Sequence, residues 1–301
     1  MKVLIVGLVK NPQFLRIKEE GEKRGHQIEG CYVSELTVYS DSTTFTPTLR
    51  GKSFEGYDLL YFWALGKRRW EWYAASEFIN KTYGVIIVNK VVIDPTENYS
   101  PTPLISFWKQ YENKLPFPAS VLLFSNKSVE GVIDKFKFPV IVKGSTTHKG
   151  KGVFLANTKA EIESIIKENK EISPSFIIRE FIPNDGDIRV FTVGYRAIGA
   201  MKRIPPEGDF RSNISLGGRG ENFDLSLRDD VRDLAEKVSE VTKTEIAGVD
   251  IILHKETNKP YILEVNPGPQ FTGFEKYTGI NAAGEIVKYF EELYNNRDGR
   301  S

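Results

Sequence analysis

The feature that most constrains this fold is a pair of apolar segments near the carboxyl end, each with a polar side chain inside it. The segments IAGVDIIL (246–253) and YILEV (261–265) are rich in β-branched residues, and the heptapeptide HKETNKP joins them. This pattern predicts two strands of an antiparallel hairpin. Asn258 is the expected turn residue, because Asn tolerates a left-handed backbone conformation.

The register of this hairpin predicts a set of oxygen ligands. If pairing centres on Thr257, Asp250 lies opposite Glu264, because each is seven residues from that centre. Alternation along a strand then places Asp250, Glu264 and Asn266 on one face. Two carboxylates and an amide oxygen are ligands that Mg²⁺ prefers, and a cation would relieve the repulsion between the acids. The alternative is a solvated sheet face that carries acids by chance.

Composition excludes several classes of protein. The chain has 301 residues with 41 basic and 40 acidic side chains, a balance that argues against general nucleic-acid binding. Cys31 is the only cysteine, so no intrachain disulfide forms and a reducing compartment fits best. The apolar run in MKVLIVGLVKNPQ is too short for a signal peptide or a membrane helix. We therefore expect a cytoplasmic protein with no membrane partner.

The order of segments predicts a mixed α/β (α+β) fold in three parts. Strands and helices alternate over 1–95, which predicts a βαβ domain with a small parallel sheet. DPTENYSPTP reads as a linker, and 96–175 then carries a helix and a small central α/β unit. From Phe176 the segments FIIREFI, IRVFTVG and AIGAMKRI predict an antiparallel sheet, so that 176–301 form the third domain.

The segment PVIVKGSTTHKGKGVFLA is a candidate phosphate-binding loop. Lys143 ends a strand, and Gly144, Gly150 and Gly152 lie in the connection to the next strand. Glycines let backbone N–H groups approach phosphates, and the lysine supplies a point charge. It is not a Walker A motif, because no Gly-Lys-Ser/Thr opens a helix. An ordinary mobile hairpin is the alternative.

Two further segments carry charges that suit a nucleotide. FIIREFIPNDGDIRVF places Glu180 at a strand exit and Asp187 and Arg189 on one face of the next strand. The last two could equally form a cross-strand ion pair, which contributes little at a surface. GDFRSN places Arg211 and Asn213 after a loop rich in Gly and Pro, where an exposed arginine is often simply solvated.

Together these segments resemble the ATP-grasp superfamily, and most closely the RimK-like carboxylate–amine ligases. The matching motifs run from about Pro103 to Tyr294: VKGSTTHKGKGV, REFIPNDGDIRVF, DFRSN, AGVDI, LEVNPGP and TGINAAG. The resemblance implies an ATP-grasp fold with an N-terminal pre-ATP-grasp domain, a central lid domain and a C-terminal domain with the metal site. It also implies ATP and two Mg²⁺ ions, for which Mn²⁺ could substitute.

The resemblance implies a role for each matching residue. Lys143 binds phosphates under the loop from Gly144 to Gly152, and Asp250, Glu264 and Asn266 hold the metals. Arg189 helps to neutralise charge on the transferred phosphoryl group. The residues that would line the adenine and ribose cleft are Arg179, Glu180, Phe181, Ile182 and Asp187. Those that would face the γ-phosphate and the reacting carboxylate are Arg211, Ser212 and Asn213.

This chain departs from the family pattern at two places. The family usually has another nucleotide-binding lysine at the start of the helix before PFPAS, where this chain has Pro103 and Leu104. Lys109 or Lys114 would have to substitute, or the contact is missing. NPGPQF stands where Asn-x-Ser-Pro-Gly is common, which leaves a different acceptor pocket as an open alternative.

The predicted reaction is ATP-dependent amide or peptide bond formation, with a glutamyl bond as one form of it. A carboxylate attacks the γ-phosphorus to give an acyl phosphate and ADP, and an amine then displaces phosphate. The partners are a small-molecule or peptide carboxylate and an amino acid or amine, with a homo-oligomer left open. The rival hypotheses are an ATP-grasp kinase acting on a hydroxyl and a nucleotide-binding regulatory module without turnover.

A basic segment in the first domain is the candidate substrate site. GKRRWEWYAA follows a strand and carries Lys67, Arg68 and Arg69, which could receive an acidic substrate or a peptide tail. Trp70 or Trp72 could pack on that substrate. The alternative is a basic helix start with tryptophans that belong to the core.

Overall fold

The computed structural model describes residues 1–63, 65–97, 104–125, 129–145, 152–171, 173, 175–209 and 218–297, without the side chain of Lys67. The strands are β1 Lys2–Val6, β2 Gln27–Cys31, β3 Leu36–Ser40, β4 Phe45–Leu49, β5 Leu59–Phe62, β6 Ile86–Val88, β7 Ser120–Leu123, β8 Val140–Gly144, β9 Val153–Ala156, β10 Phe176–Glu180, β11 Asp187–Val193, β12 Arg196–Ile204, β13 Arg219–Phe223, β14 Ile246–Leu253 and β15 Pro260–Asn266. The helices are α1 Pro12–Lys23, α2 Arg69–Tyr83, α3 Leu104–Glu112, α4 Glu130–Ile133, α5 Lys159–Asn169, α6 Asp229–Val241, α7 Thr272–Thr278 and α8 Ala282–Arg297.

The first sheet is parallel, as the alternation of strands and helices predicts. Its strand order is β2-β1-β5-β6. Asn11 caps α1 by accepting a hydrogen bond from the backbone N–H of Phe14, with Pro12 at the first helical position. Gly84 ends α2 in the left-handed conformation. The hairpin of β3 and β4 is an addition that the βαβ pattern did not predict.

The central sheet has the order β7-β10-β8-β9 and is antiparallel throughout. The prediction that FIIREFI begins the C-terminal sheet is wrong, because β10 pairs with β7 and β8. The segment has the apolar character of a sheet-centre strand, and that character does not reveal which sheet it joins. The domain boundaries near 95 and 175 remain predictions, and this pairing favours placing the second boundary after Glu180.

The third sheet has the order β13-β12-β11-β14-β15 and confirms the antiparallel arrangement expected for the carboxyl-terminal part. One face packs against α6 in an apolar cluster that includes Val190, Val249 and Ile251. The other face shares a core with one side of the first sheet, in which Tyr61 lies against Phe290 of α8. The first and third sheets are therefore held together by buried apolar side chains. Of the helices described here, none has the length and apolar character needed to span a bilayer.

Candidate active site

The hairpin of β14 and β15 has the register that the sequence predicts. Asp250 pairs with Glu264, and Gly248 pairs with Asn266. Asn258 has a φ of 55° at the turn, as expected of its position. Beyond the site the register shifts between Asp250 and Ile251, which makes Leu263 the extra residue of a β-bulge. The predicted face of two acids and an amide is thus present.

Asp250 lies in a network of buried charges rather than beside Glu264 alone. Arg189, directly opposite on β11, donates from Nε to Oδ1 and from a terminal nitrogen to Oδ2, both at 2.7 Å. A terminal nitrogen of Arg203 lies 3.0 Å from Asp250 Oδ2, and Arg203 Nε donates to Asp187. Gly248 leaves room for this packing, because a Cβ there would lie 2.9 Å from Pro269 and 3.4 Å from Arg189 Nε.

The ion pairs of this network keep Asp250 and Arg203 in their charged forms. Burial alone would raise the pKa of Asp250, but the guanidinium groups of Arg189 and Arg203 lower it to about 2. Burial disfavours the charged form of Arg203, yet Asp250 and Asp187 together raise its pKa above the ordinary arginine value. Asp250 is therefore an anion at neutral pH that two cations hold in place.

Asp187 has a different partner from the one its spacing suggested. The sequence left open an ion pair between Asp187 and Arg189 along one strand face. In the structure Asp187 is buried and pairs with Arg203 across β11 and β12, while Arg189 pairs with Asp250. Arg203 was missed, although the hairpin register that puts it opposite Asp187 could have found it.

Glu264 and Lys143 approach each other from two different sheets. Lys143 Nζ lies 3.9 Å from Glu264 Oε2, and the Glu264 side chain keeps 46% of its surface exposed. Asn266 donates from Nδ2 to the carbonyl oxygen of Gly248 at 3.3 Å and to Asp250 Oδ2 at 3.4 Å. The cleft between the central and third sheets therefore brings the lysine of the glycine loop to the predicted metal face.

The donor set on this face fits a hard divalent cation. Glu264 presents an exposed carboxylate. Among the residues that the structure describes, Asp250 Oδ1 accepts one hydrogen bond, and the Asn266 amide makes its contacts through its nitrogen, which leaves its oxygen for a ligand. Within the described residues no three His, Cys, Asp or Glu side chains form a metal cluster, so the candidate set is two carboxylates and one amide. Oxygen-only ligands with space for water and phosphate are typical of Mg²⁺ sites.

The glycine loop joins two paired strands, as predicted. The backbone N–H of Gly144 donates to the carbonyl oxygen of Gly152 at 3.2 Å, and Gly152 has a positive φ of 71°. Gly150 and the segment with Arg211, Ser212 and Asn213 lie outside the described residues. Their predicted roles rest on the family resemblance.

The end of the predicted adenine strand is hydrogen-bonded to the residue that precedes β7. The backbone N–H of Glu180 donates to Ala119 at 2.8 Å, and the Glu180 carboxylate accepts from the Ala119 N–H at 3.2 Å. Phe181 is partly buried and Ile182 is buried. The backbone of this segment follows directly from β10, which also carries Arg179.

Other predicted groups have partners that limit their roles. Lys109 forms an ion pair with Glu97, which also binds Lys243 at 2.9 Å. Trp72 is fully buried and donates to the carbonyl oxygen of Val33, so it is a core tryptophan. Trp70 is half exposed.

A buried asparagine that the sequence reasoning missed ties the first sheet to the site. Asn89 donates from Nδ2 to the carbonyl oxygens of Ile246 at 3.1 Å and Pro267 at 2.8 Å, and it accepts from the Ile246 N–H at 2.9 Å. Pro267 directly follows Asn266. Gly268 lies so close to Trp63 that a Cβ there would be 2.8 Å from its carbonyl oxygen. The loop after the predicted metal face is therefore held by two residues of the first part of the chain, Trp63 and Asn89.

Comparison with known proteins identifies the family. Residues 108–290 match the RimK-like ATP-grasp domain. The chain belongs to the RimK-like ATP-grasp family. It is 31% identical to a probable alpha-L-glutamate ligase of Psychromonas ingrahamii, over 97% of this chain and 95% of that protein. A second relative, probable alpha-L-glutamate ligase 2 of Shewanella baltica, is also 31% identical, over 94% of this chain and 92% of its own length.

Solved structures agree on the fold of this RimK-like chain. The ATP-grasp ligase PsnB, complexed with a phosphomimetic variant of its minimal precursor, Mg and ADP, aligns with a TM-score of 0.75 at 17% identity, over 97% of this chain and 98% of PsnB. A RimK domain ATP-grasp protein of Sphaerobacter thermophilus aligns with a TM-score of 0.67 at 17% identity, over 96% and 99%. The predicted ATP-grasp fold is confirmed, and the protein is an ATP-grasp ligase.

Proposed function

We propose that this ligase uses ATP to join glutamate to a partner through an amide bond, by way of an acyl phosphate, with release of ADP and phosphate. The observation that carries the proposal is the approach of Lys143 to Glu264 across the cleft, above a face that also holds Asp250 and Asn266. Lys143, the proposed phosphate-binding cation, lies 3.9 Å from Glu264, one of the proposed oxygen ligands. Phosphoryl transfer needs this combination more than it needs a nucleophilic side chain.

Asp250, Glu264 and Asn266 would hold two Mg²⁺ ions. When bound, the metal neutralises charge on the phosphates and orients them. Glu264 is the more exposed of the two carboxylates, whereas Asp250 is held in place by two arginines. Asn89 contributes indirectly, since its hydrogen bond to Pro267 holds the chain next to Asn266.

The nucleotide would lie between the central and third sheets. Lys143 and the loop from Gly144 to Gly152, with Gly150 inside it, would bind its phosphates. The backbone of Glu180, Phe181 and Ile182 would line the adenine. The ion pair of Asp187 with Arg203 favours a positioning role for Asp187 over a contact with ribose.

The reaction begins when a substrate carboxylate oxygen attacks the γ-phosphorus and the bond to the ADP oxygen breaks. Arg189 lies in the charge network on the third sheet, where it could stabilise the developing negative charge. From the family resemblance, Arg211, Ser212 and Asn213 would hold the phosphoryl group and the carboxylate. An amine then attacks the acyl carbon, phosphate leaves, and the amine loses a proton to give the amide. Water would hydrolyse the acyl phosphate, which is a reason to close a loop over it.

The substrate class follows from the relatives named as alpha-L-glutamate ligases. We infer that glutamate is one substrate and that the other is a small molecule or a peptide. A cytoplasmic location fits a chain whose single cysteine, Cys31, is buried.

The test is release of ADP with ATP, Mg²⁺, glutamate and a panel of amino acids and acidic peptides. ADP should appear rapidly only when both an acid and an amine are present, and mass spectrometry should show one glutamyl unit added. ADP formed with a hydroxyl acceptor and no amine would favour a kinase. Nucleotide binding without turnover for any pair would favour a regulatory module.

A further inference from the structure

An arginine on the cleft side of the central sheet has no role in the reaction described so far. Arg179 pairs with Ile141 on β8, and Ile177 pairs with Lys143. Side chains alternate along a strand, so Arg179 and Lys143 share a face. The other face of the same strands carries Ile178, which packs in the apolar core of the central domain. The two cations therefore lie on neighbouring strands and point into the same cleft.

The contacts of Arg179 hold its guanidinium between the central sheet and the hairpin of β14 and β15. Nε donates to Ser120 Oγ at 3.1 Å, and a terminal nitrogen donates to the carbonyl oxygen of Leu263 at 3.2 Å. The ring of Phe107 lies 5.9 Å from the guanidinium carbon. Leu263 is the bulge residue that directly precedes Glu264. Arg179 thus reaches from the central sheet to the edge of the predicted metal face.

The charge of Arg179 is poorly compensated by the protein. Its two hydrogen bonds go to uncharged oxygens, and across the described ranges no carboxylate forms an ion pair with it. Burial lowers its pKa, and Glu264 is the acid whose charge opposes that effect. A cation in a partly buried place is costly unless an anion accompanies it. The planar guanidinium group of an arginine also presents N–H donors in a geometry that matches the oxygens of a phosphate group.

Another basic residue suggested for this place is already engaged. Lys109 on α3 was a candidate to replace the lysine missing near Pro103, but it forms an ion pair with Glu97. Phe107, which lies on that helix, is instead in contact range of Arg179. A cation on β10, Arg179, is therefore in contact range of the helix that would carry the family lysine.

We propose that the guanidinium of Arg179 binds a phosphate group of the nucleotide beside Lys143. This inference rests on the proposed function in one respect, since it requires a nucleotide in the cleft. It differs from the role implied by the family resemblance, in which this segment contacts adenine largely through its backbone. In this proposal the negative charge that compensates Arg179 is the phosphate of the bound nucleotide.

The alternative is that Arg179 is only a structural tie to the Leu263 carbonyl. Two substitutions separate the roles. Arg179→Gln keeps a side chain that can donate hydrogen bonds but removes the charge, and Arg179→Lys keeps the charge but removes the planar fork. Arg196→Gln, an exposed arginine at the start of β12, is the matched control. Thermal unfolding of each variant shows whether the fold is retained.

The measurement is the Kd of the full-length chain for ADP with Mg²⁺ and for adenosine, by calorimetry. Arg179→Gln should weaken ADP binding about tenfold or more, the effect of losing a charge-assisted hydrogen bond, and leave adenosine binding unchanged. Arg179→Lys should recover part of the loss, and Arg196→Gln should match the parent. The ADP affinity of Arg179→Gln should also depend less steeply on salt.

Equal weakening of ADP and adenosine binding would overturn the proposal in favour of a structural tie. Unchanged ADP binding by Arg179→Gln would also overturn the proposal. If the parent protein still formed the amide, the proposed ligase function would not be affected by that result. Conversely, a parent that binds ADP through Arg179 but forms no amide would support this assignment and contradict the proposed function. A parent that binds neither ligand would contradict both.

Discussion

The two sheets that form the cleft carry charge in opposite ways. On the third sheet, Asp187, Asp250, Arg189 and Arg203 are joined by short ion pairs and are largely buried. On the central sheet, Lys143 has one acid at 3.9 Å, and the hydrogen bonds of Arg179 go to neutral oxygens. One face compensates its charges internally, and the other presents an excess of positive charge.

This difference indicates that these charged side chains of the third sheet are already in close ion pairs before ATP binds, whereas Lys143 and Arg179 of the central sheet are not closely paired within the described part of the chain. The internal ion pairs hold Asp250 in place before any ligand arrives, which is the preorganisation that electrostatic catalysis requires. The cations of the central sheet gain their full interaction only when phosphates enter the cleft. We therefore expect substitutions on the third sheet to affect stability, and substitutions on the central sheet to affect nucleotide binding.

Glu264 lies where the two faces meet, and its loss should have the largest effect. Glu264→Gln should lower turnover by at least about 100-fold, because it removes a preorganised charge that acts in the transition state. Stability should change little, since the side chain is 46% exposed and its ion pair is long. Amine-dependent ADP release and thermal unfolding are the two measurements. Glu256→Gln, in the loop of the same hairpin, is the control, and near-normal turnover of Glu264→Gln at saturating Mg²⁺ would remove the metal assignment.

Arg203 tests the internally compensated face. Arg203→Met should lower the free energy of unfolding by about 2–3 kcal/mol, because two buried carboxylates each lose a charged hydrogen-bond partner. Urea denaturation measures this, and Arg196→Met, at the exposed start of the same strand, should be close to the parent. If the two variants were equally stable, the network around Asp250 would not be a stabilising element and the contrast between the sheets would fail.

Lys143 tests the central face. Lys143→Ala should weaken ADP binding about tenfold, the cost of one charge-assisted contact, and should change the free energy of unfolding by less than about 0.5 kcal/mol. Calorimetric titration and urea denaturation give the two values. Lys137→Ala, in the exposed segment before β8, supplies the reference. If Lys143→Ala bound nucleotide normally but lost turnover, Lys143 would interact only with the transferred phosphoryl group and would not contribute to ADP binding.

The basic segment of the first domain should give the smallest effect. Neutralising Lys67, Arg68 and Arg69 together should raise the KM for the acidic substrate about three- to fivefold, as expected of solvated charges. Arg68 already pairs with Glu71, and Arg69 donates to the carbonyl oxygen of Gly66, which limits what these two side chains contribute. The KM for ATP should stay constant. A change in the KM for ATP alone would indicate that the nucleotide site extends to this segment of the first domain.

Local sequence patterns predicted the parts of the site that are close together in the chain. The pairing of Asp250 with Glu264 follows from a short connection and an alternating pattern, so the register could be worked out in advance. The parallel sheet follows from the βαβ order. In these cases the physical constraint, a turn or a crossover, lies within the segment itself.

Contacts between distant segments could not be predicted in the same way. The sheet that β10 joins depends on pairing with β7, more than 50 residues earlier in the chain. The hydrogen bonds of Asn89 to Ile246 and Pro267 span more than 150 residues. No local spacing encodes such contacts, because they depend on how separate elements pack. The same holds for Arg179, which was expected to line the adenine cleft and whose side chain donates to the distant Leu263.

The acyl phosphate that would form when the γ-phosphoryl group of ATP activates a carboxylate can be trapped. With ATP, Mg²⁺ and the acid substrate alone, the protein should release little ADP; added hydroxylamine should yield a hydroxamate with one ADP and one phosphate per molecule. No AMP should form, since attack is on the γ-phosphorus. Formation of AMP and pyrophosphate would indicate adenylation, and a stable phosphate monoester formed without any amine would indicate a kinase; either result would contradict the account.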